Sequence, residues 1–344
     1  MSAIAGEAQG TVARGAALRG TVKSIYIYVV FLLIVGVFSL AKLGQVEFFG
    51  AGHFLSPDSV INMLRVAAPI LTLSGAFTLL MISGYIDLSV GSAMSLAAVV
   101  YALMIREGFP FSLALPLALL LGSGFGLLNG LLVVRLRITP VIATLVTLNL
   151  FKGVAMLIVP DGLSAIKSIP GHPMPASIND FARAEVLLGL PWAFYVSVVV
   201  IVALVVVQRR TVLGKYAVAI GGNRTAAELS GIDAARWIWV LYVIVGVCAA
   251  LAGVARASYM SLGDPLSGDG MELDCIIAVL LGGTAFSGGE GSVAKTVIGA
   301  LIIVCVTTGL MTVIPAFWQT FAKGTVLVAA VALNHLLVRE QSHA

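Results

Sequence analysis

Charge is what this sequence has least of. Of 344 residues, 16 are Asp or Glu and 20 are Lys or Arg, so charged side chains make up 10% of the chain, against about a quarter in soluble domains. So thin a supply excludes an ordinary soluble fold. The net charge of +4 is no nucleic-acid signal, because basic residues in a membrane chain report orientation first. Cysteine is nearly missing too. Cys248, Cys275 and Cys305 lie in apolar segments without metal-ligand or redox spacing, and read as small buried packing residues. The four His residues are scattered and form no metal cluster. No Ser/His/Asp or Cys/His grouping and no intramembrane acid pair suggests catalysis. The apolar runs do not alternate, which disfavours a β-barrel.

What the sequence does have is apolar length. Sixty per cent of its residues are hydrophobic and the mean hydropathy is +1.07. Several runs reach the roughly 20 residues that a helix needs to cross a bilayer, and backbone groups in lipid must pair within the span, which selects helices. The runs give ten candidate spans near 24–41, 62–85, 88–105, 111–134, 139–160, 188–208, 237–257, 273–286, 294–314 and 317–338. The fold class is all-α, a polytopic membrane bundle of about ten transmembrane helices. The eighth span is short and Gly-rich and reads as broken or partly inserted. Ser39-Leu40-Ala41 superficially resembles a signal cleavage site, but the run before it is long, so it reads as a retained first span.

Ten spans put both termini on one side. With the N-terminus inside, the inner segments hold Arg14, Arg19, Lys23, Arg135, Arg137, Arg209, Arg210, Lys215, Arg224, Arg236, Lys295 and Arg339, and the outer ones Lys42, Arg106, Lys167, Arg183 and Arg256. That bias supports N-in, C-in. Residues 1–23 and 339–344 are then cytoplasmic tails, and 24–338 is one transmembrane domain containing a cytoplasmic segment, 209–236.

Polar residues inside apolar runs are costly and usually face a cavity or a partner. Lys152, near Asn149, interrupts the fifth span, with snorkelling to an interface as the other reading. Asn62 and Arg65 open the second span and suit an interface. Trp318, Gln319 and Lys323 suit an aromatic belt at the end of the last span, or a polar lining. Asn62, Asn149, Lys152, Thr308, Trp318 and Gln319 are the candidates for a translocation pathway. Asn129 suits an interhelical hydrogen bond, and Gly122, Gly124, Gly126 and Gly130 suit close helix packing. Gly289-Glu290-Gly291-Ser292-Val293-Ala294-Lys295-Thr296 nearly matches a phosphate-binding loop, but Ala294 stands where Gly is required and no nucleotide domain surrounds it.

Two acid-bearing Gly/Ser turns echo one another and are expected to open helices on the same side. One runs from Gly84 through Asp87 to Gly91 and Ser92. The other follows Gly282-Gly283 and runs through Gly288, Gly289, Glu290 and Gly291. Structural repeats are common in transporters, and chance similarity is the alternative.

These motifs resemble the permease subunit of ribose/xylose-type ABC sugar importers over roughly residues 57–336. The resemblance rests on Gly84–Ser92, on Ala143-Thr144-Leu145 through Phe151-Lys152-Gly153, on Leu213–Ile232, on Glu272 through Ser292, and on Phe317-Trp318-Gln319 with Lys323-Gly324, in that order. Thr307-Thr308-Gly309-Leu310 departs from the family's usual Asn pair before Gly-Leu. The resemblance implies a permease in a bacterial inner membrane that dimerises with itself or a paralogue. An ATPase pair below would bind the ATP and Mg, and a periplasmic sugar-binding protein would sit above. The chain itself would bind no cofactor and no nucleic acid. Residues 217–232 are expected to form an amphipathic helix after a Gly-Gly break, seated in a groove of the ATPase. The coupling residues would be Leu213, Gly214, Ala219, Ile220, Gly221, Gly222, Asn223, Ala226, Ala227, Ser230 and Gly231. The rival reading is an ion-coupled secondary transporter of a small polar solute.

Overall fold

In a computed structural model, residues 28–29, 31–36, 56–159, 163–169, 171–311, 318, 321 and 324–325 are described. The expected tails, Gln319, Lys323 and most of the last span lie outside them. The described residues are mostly helical. One short antiparallel pair, β1 (Glu185–Leu187) with β2 (Leu190–Pro191), interrupts them.

Among the described residues, ten α-helices of six residues or more follow residues 28–36. They are α1 (Pro57–Ile82), α2 (Val90–Arg106), α3 (Phe111–Gly130), α4 (Pro140–Ile158), α5 (Trp192–Arg210), α6 (Val212–Gly222), α7 (Arg224–Leu229), α8 (Ala234–Met260), α9 (Met271–Leu281) and α10 (Val293–Met311). Helix α3 runs on as a π-helical turn, Leu131–Arg135. The starts obey local chemistry. Ser56 Oγ accepts from Ser59 N at 3.2 Å with Pro57 in the first turn of α1, and Asp233 Oδ1 accepts from Arg236 N at 3.0 Å at the start of α8.

Helix α8 is the scaffold, and α1, α2 and α3 pack along it. Small residues set how closely. A Cβ at Gly122 would collide with the carbonyl of Gly246, one at Gly126 with Tyr242 and Val243, and one at Gly253 with the carbonyl of Met94. Lipid offers no hydrophobic drive between helices, so such close backbone contact does the packing. Gly124 meets nothing and is not part of this seam. A second core joins Ala67, Ile70 and Leu71 of α1 to Ile277 and Ala278 of α9 and Ala300 and Ile303 of α10.

Burial runs opposite to the soluble pattern. The apolar window of α1 is 89% buried and that of α8 67%, but those of α3, α4 and α5 are 39%, 28% and 17%. Helices this apolar and this bare need lipid or another chain around them.

Helix α9 has 11 residues, about 16 Å at 1.5 Å per residue, too short to cross a bilayer of about 30 Å. The stretch before it makes up the length. A Cβ at Gly263 would lie 2.8 Å from Val99 Cα of α2, and one at Gly268 would collide with the carbonyl of Gly91, while the Gly268 N–H donates to Ser95 Oγ at 2.8 Å. The chain therefore runs back along α2 before α9 begins.

Candidate functional site

Helix ends gather at two faces of the bundle. At the first, α1, α5 and α9 finish and α2, α8 and α10 begin, and α6 and α7 lie there. The expected coupling segment is two helices rather than one. Gly221 and Gly222 end α6 instead of preceding a helix. The break falls at Asn223, whose extended backbone (φ −160°, ψ 102°) and side chain cap α7, Oδ1 accepting from Ala226 N at 3.0 Å. The role of the Gly-Gly pair is tertiary, which no local pattern reveals. A Cβ at Gly221 would collide with the carbonyl oxygen of Ile82 and approach Gly289 N at 2.5 Å, whereas one at Gly222 meets open space.

Gly221 sits where the two echoed turns meet. Gly289 N donates to Ile82 O at 2.8 Å. A Cβ at Gly288 would lie 2.8 Å from Gly84 Cα, and both glycines adopt positive φ, 84° and 82°. A Cβ at Gly291 would approach Thr284 and Ile82 to 2.6 and 2.7 Å, and one at Gly282 would approach Thr296 to 2.8 Å, whereas one at Gly283 would meet open space. Gln208, at the end of α5, ties this knot from the side. Its Nε2 donates to Gly291 O at 2.8 Å and its Oε1 accepts from Val293 N at 2.9 Å. Gly214 fills the corner against the Gln208 backbone. Leu213, Ala217 and Ile220 turn α6 inward, and Ala227 does the same for α7. Gly222, Asn223, Ala226, Ser230 and Gly231 are exposed, and Ala219 is half-buried. The sequence pattern missed the exposed apolar tips at this face, Leu229 at 86% and Phe286 at 56%. A lone Leu at the end of a short helix carries no periodic signal.

Asp87, read from sequence as a turn residue, is the centre of a buried network. Its Oδ1 accepts from Ser89 N at 2.8 Å and Ser89 Oγ at 2.6 Å, and its Oδ2 accepts from Asn129 Nδ2 at 2.9 Å. Asn129 Oδ1 accepts from Thr147 Oγ1 of α4 at 2.7 Å. Asn129 thus makes the expected interhelical bond, to Thr147 of α4, and also holds the α1–α2 turn.

The pathway candidates do not converge. Lys152 Nζ pairs with Asp269 Oδ2 at 2.6 Å across to the inbound stretch before α9. Asn149 is exposed on α4 and bonds its own helix at Leu145 O, 2.9 Å. Asn62 lies elsewhere, in a cleft of 480 Å³ with Arg65, Arg183, Glu185, Tyr259 and Met260, where its Oδ1 accepts from Tyr259 Oη at 3.0 Å. Thr308 is half-buried on α10, and Trp318 is exposed and stacks edge-on with Phe321 at 5.8 Å.

A bundle that is bare where it is most apolar, with a polar helical appendage knotted to two turns at one end, has the build of a multi-pass membrane protein. The chain belongs to the family of branched-chain amino acid transport system permease components, whose pattern matches residues 59–331. Among its relatives, a ribose import permease protein of Bacillus subtilis is 36% identical over 82% of this chain and 86% of its own. A ribose import permease protein of Haemophilus influenzae is 32% identical over 83% and 87%, and the D-allose transport system permease protein of Escherichia coli 34% over 83% and 86%. No solved structure gives a significant match. The chain is a permease subunit of an ABC importer and not an enzyme.

Proposed function

We propose that this subunit moves a monosaccharide or related polyol across a bacterial inner membrane by alternating access, driven by a separate ATPase pair that holds ATP and Mg. A periplasmic binding protein delivers the sugar to the opposite face. The observation that carries the reading is the backbone contact of Gly221 with the α1–α2 and α9–α10 turns, because it leaves no compliant side chain between α6 and the turns. Helix α7 then seats Leu229 in a groove of the ATPase, and motion of α6–α7 shifts both turns together. The basic residues at this face, Arg209, Arg210, Lys215, Arg224 and Arg236, support a cytoplasmic side with N-in, C-in topology.

The second permease copy lies against α4. An amide at mid-helix is costly in hydrocarbon, so exposed Asn149, one turn from Lys152, suits a pathway between two copies better than lipid. A neutral polyol needs hydrogen-bonding groups without a deep charged pocket, and Asn149, Thr308, Trp318 and Gln319 offer that chemistry.

The test is to purify the tagged chain from native membranes in mild detergent, identify stoichiometric partners by mass spectrometry, and reconstitute uptake. Recovery of an ATP-hydrolysing subunit with ATP-dependent sugar uptake is the expected result. The chain alone transporting without that subunit would replace the reading with an ion-coupled carrier.

A further inference from the structure

The α6–α7 contacts described above explain how a push reaches the two turns, but α7 has a second route into the bundle. Arg224, its first residue, is half-exposed and is held by an i,i+4 pair, Nε to Glu228 Oε1 at 2.8 Å. Its other arm leaves the helix, and Nη1 donates to Tyr85 Oη at 2.7 Å. Tyr85 is half-buried in the α1–α2 turn. Burial pushes its phenol above the usual range and the guanidinium opposes that. It therefore stays a neutral hydroxyl that accepts from Arg224.

From Tyr85 the contacts go inward without a gap. Its ring meets that of Tyr242 edge-on, centroids 6.5 Å apart and planes at 77°. Tyr242, on α8, donates through Oη to Ile86 O at 3.1 Å. Ile86 precedes Asp87, whose carboxylate holds Ser89 and Asn129, and Asn129 holds Thr147 on α4. Asn149 and Lys152 follow on that helix. Every member from Tyr85 to Thr147 is at least half-buried, so the geometry has little slack, and hydrogen-bonded chains with rigid elements are the physical carriers of coupling.

We infer that Tyr85 and Arg224 are positioning residues that transmit the movement of α7 through Asp87 and Asn129 to α4, making the Tyr85–Arg224 bond a coupling contact rather than an anchor for α7. This rests on the importer reading above. A plain anchor would, when cut, loosen the ATPase and lower hydrolysis and uptake together. A coupling contact would lower uptake while hydrolysis on the partner continues.

The experiment reconstitutes the full complex with its ATPase and sugar-loaded binding protein, carrying Tyr85→Phe, Arg224→Gln or both. ATP hydrolysis and sugar uptake are measured in the same vesicles. We expect each single variant to cut uptake by about tenfold, the order of one hydrogen bond to a charged group, with hydrolysis maintained. The double variant should be no worse than either single one, because both remove the same contact. Proportional loss of hydrolysis and uptake, multiplying effects in the double variant, or normal uptake in all three would overturn the inference. A wild-type complex without ATP-driven uptake would instead remove the importer reading beneath it.

Discussion

Gly221 and Gly222 are neighbours with opposite requirements. A methyl group at Gly221 meets the Ile82 carbonyl, whereas one at Gly222 meets nothing. Gly221→Ala should therefore cost uptake, by about tenfold or more if the displaced helix loses even one backbone contact, and Gly222→Ala should leave it near wild type. Uptake assays with matched expression check the pair, and equal effects would refute the close-contact account. Asn129 makes a similar case for stability. Asn129→Leu removes the amide that satisfies the buried Asp87 Oδ2 and Thr147. An uncompensated buried polar group costs about 1–3 kcal/mol, more if charged, so its melting temperature in detergent should fall clearly. Thr147→Val strands only one acceptor and should fall less.

At the scale of elements, α7 is six residues long, too short to be stable alone. The Asn223 cap, the buried Ala227 and the Arg224 contacts hold it in place. Its tip, Leu229, is almost fully exposed. Burying a Leu in a partner groove is worth about 1.5–3 kcal/mol, so Leu229→Asp should abolish co-purification of the ATPase without altering the thermal stability of the permease. Retained co-purification would move the docking surface elsewhere, with exposed Phe286 as the next place to cut. Gly246 is the opposite kind of position, buried between α8 and α3. Gly246→Leu forces the two backbones apart, and the expected outcome is loss of folded protein on size-exclusion chromatography rather than a selective transport defect.

At the scale of the whole molecule, the bare helices α3, α4 and α5 form an apolar exterior, and α4 alone among them carries the exposed amide of Asn149 and the Lys152–Asp269 pair. If two copies face each other there, Asn149→Cys should cross-link copy to copy under mild oxidation, and a Cys at exposed Val199 on α5 should not. The reverse pattern would place the second copy against α5.

The helices were largely legible in the sequence because bilayer solvation makes length and apolarity sufficient signals. Eight candidate spans fall within a few residues of α1 to α5 and α8 to α10, and the short eighth one emerged as the 11-residue α9. Capping residues such as Ser56, Asn223 and Asp233 also act locally, through bonds to N–H groups three residues on. The sequence by itself determined which segments are apolar enough to be helices, where they start, and which polar loop stands apart from them. Only the tertiary structure decided that Gly221 is a close backbone contact, that the turn residue Asp87 is also a buried hub, that Lys152 is paired with Asp269, and that Asn62 lies apart from Asn149. Each of these depends on a partner tens to more than a hundred residues away, and no local pattern of spacing encodes which distant backbone or side chain will occupy the space beside a given Cα.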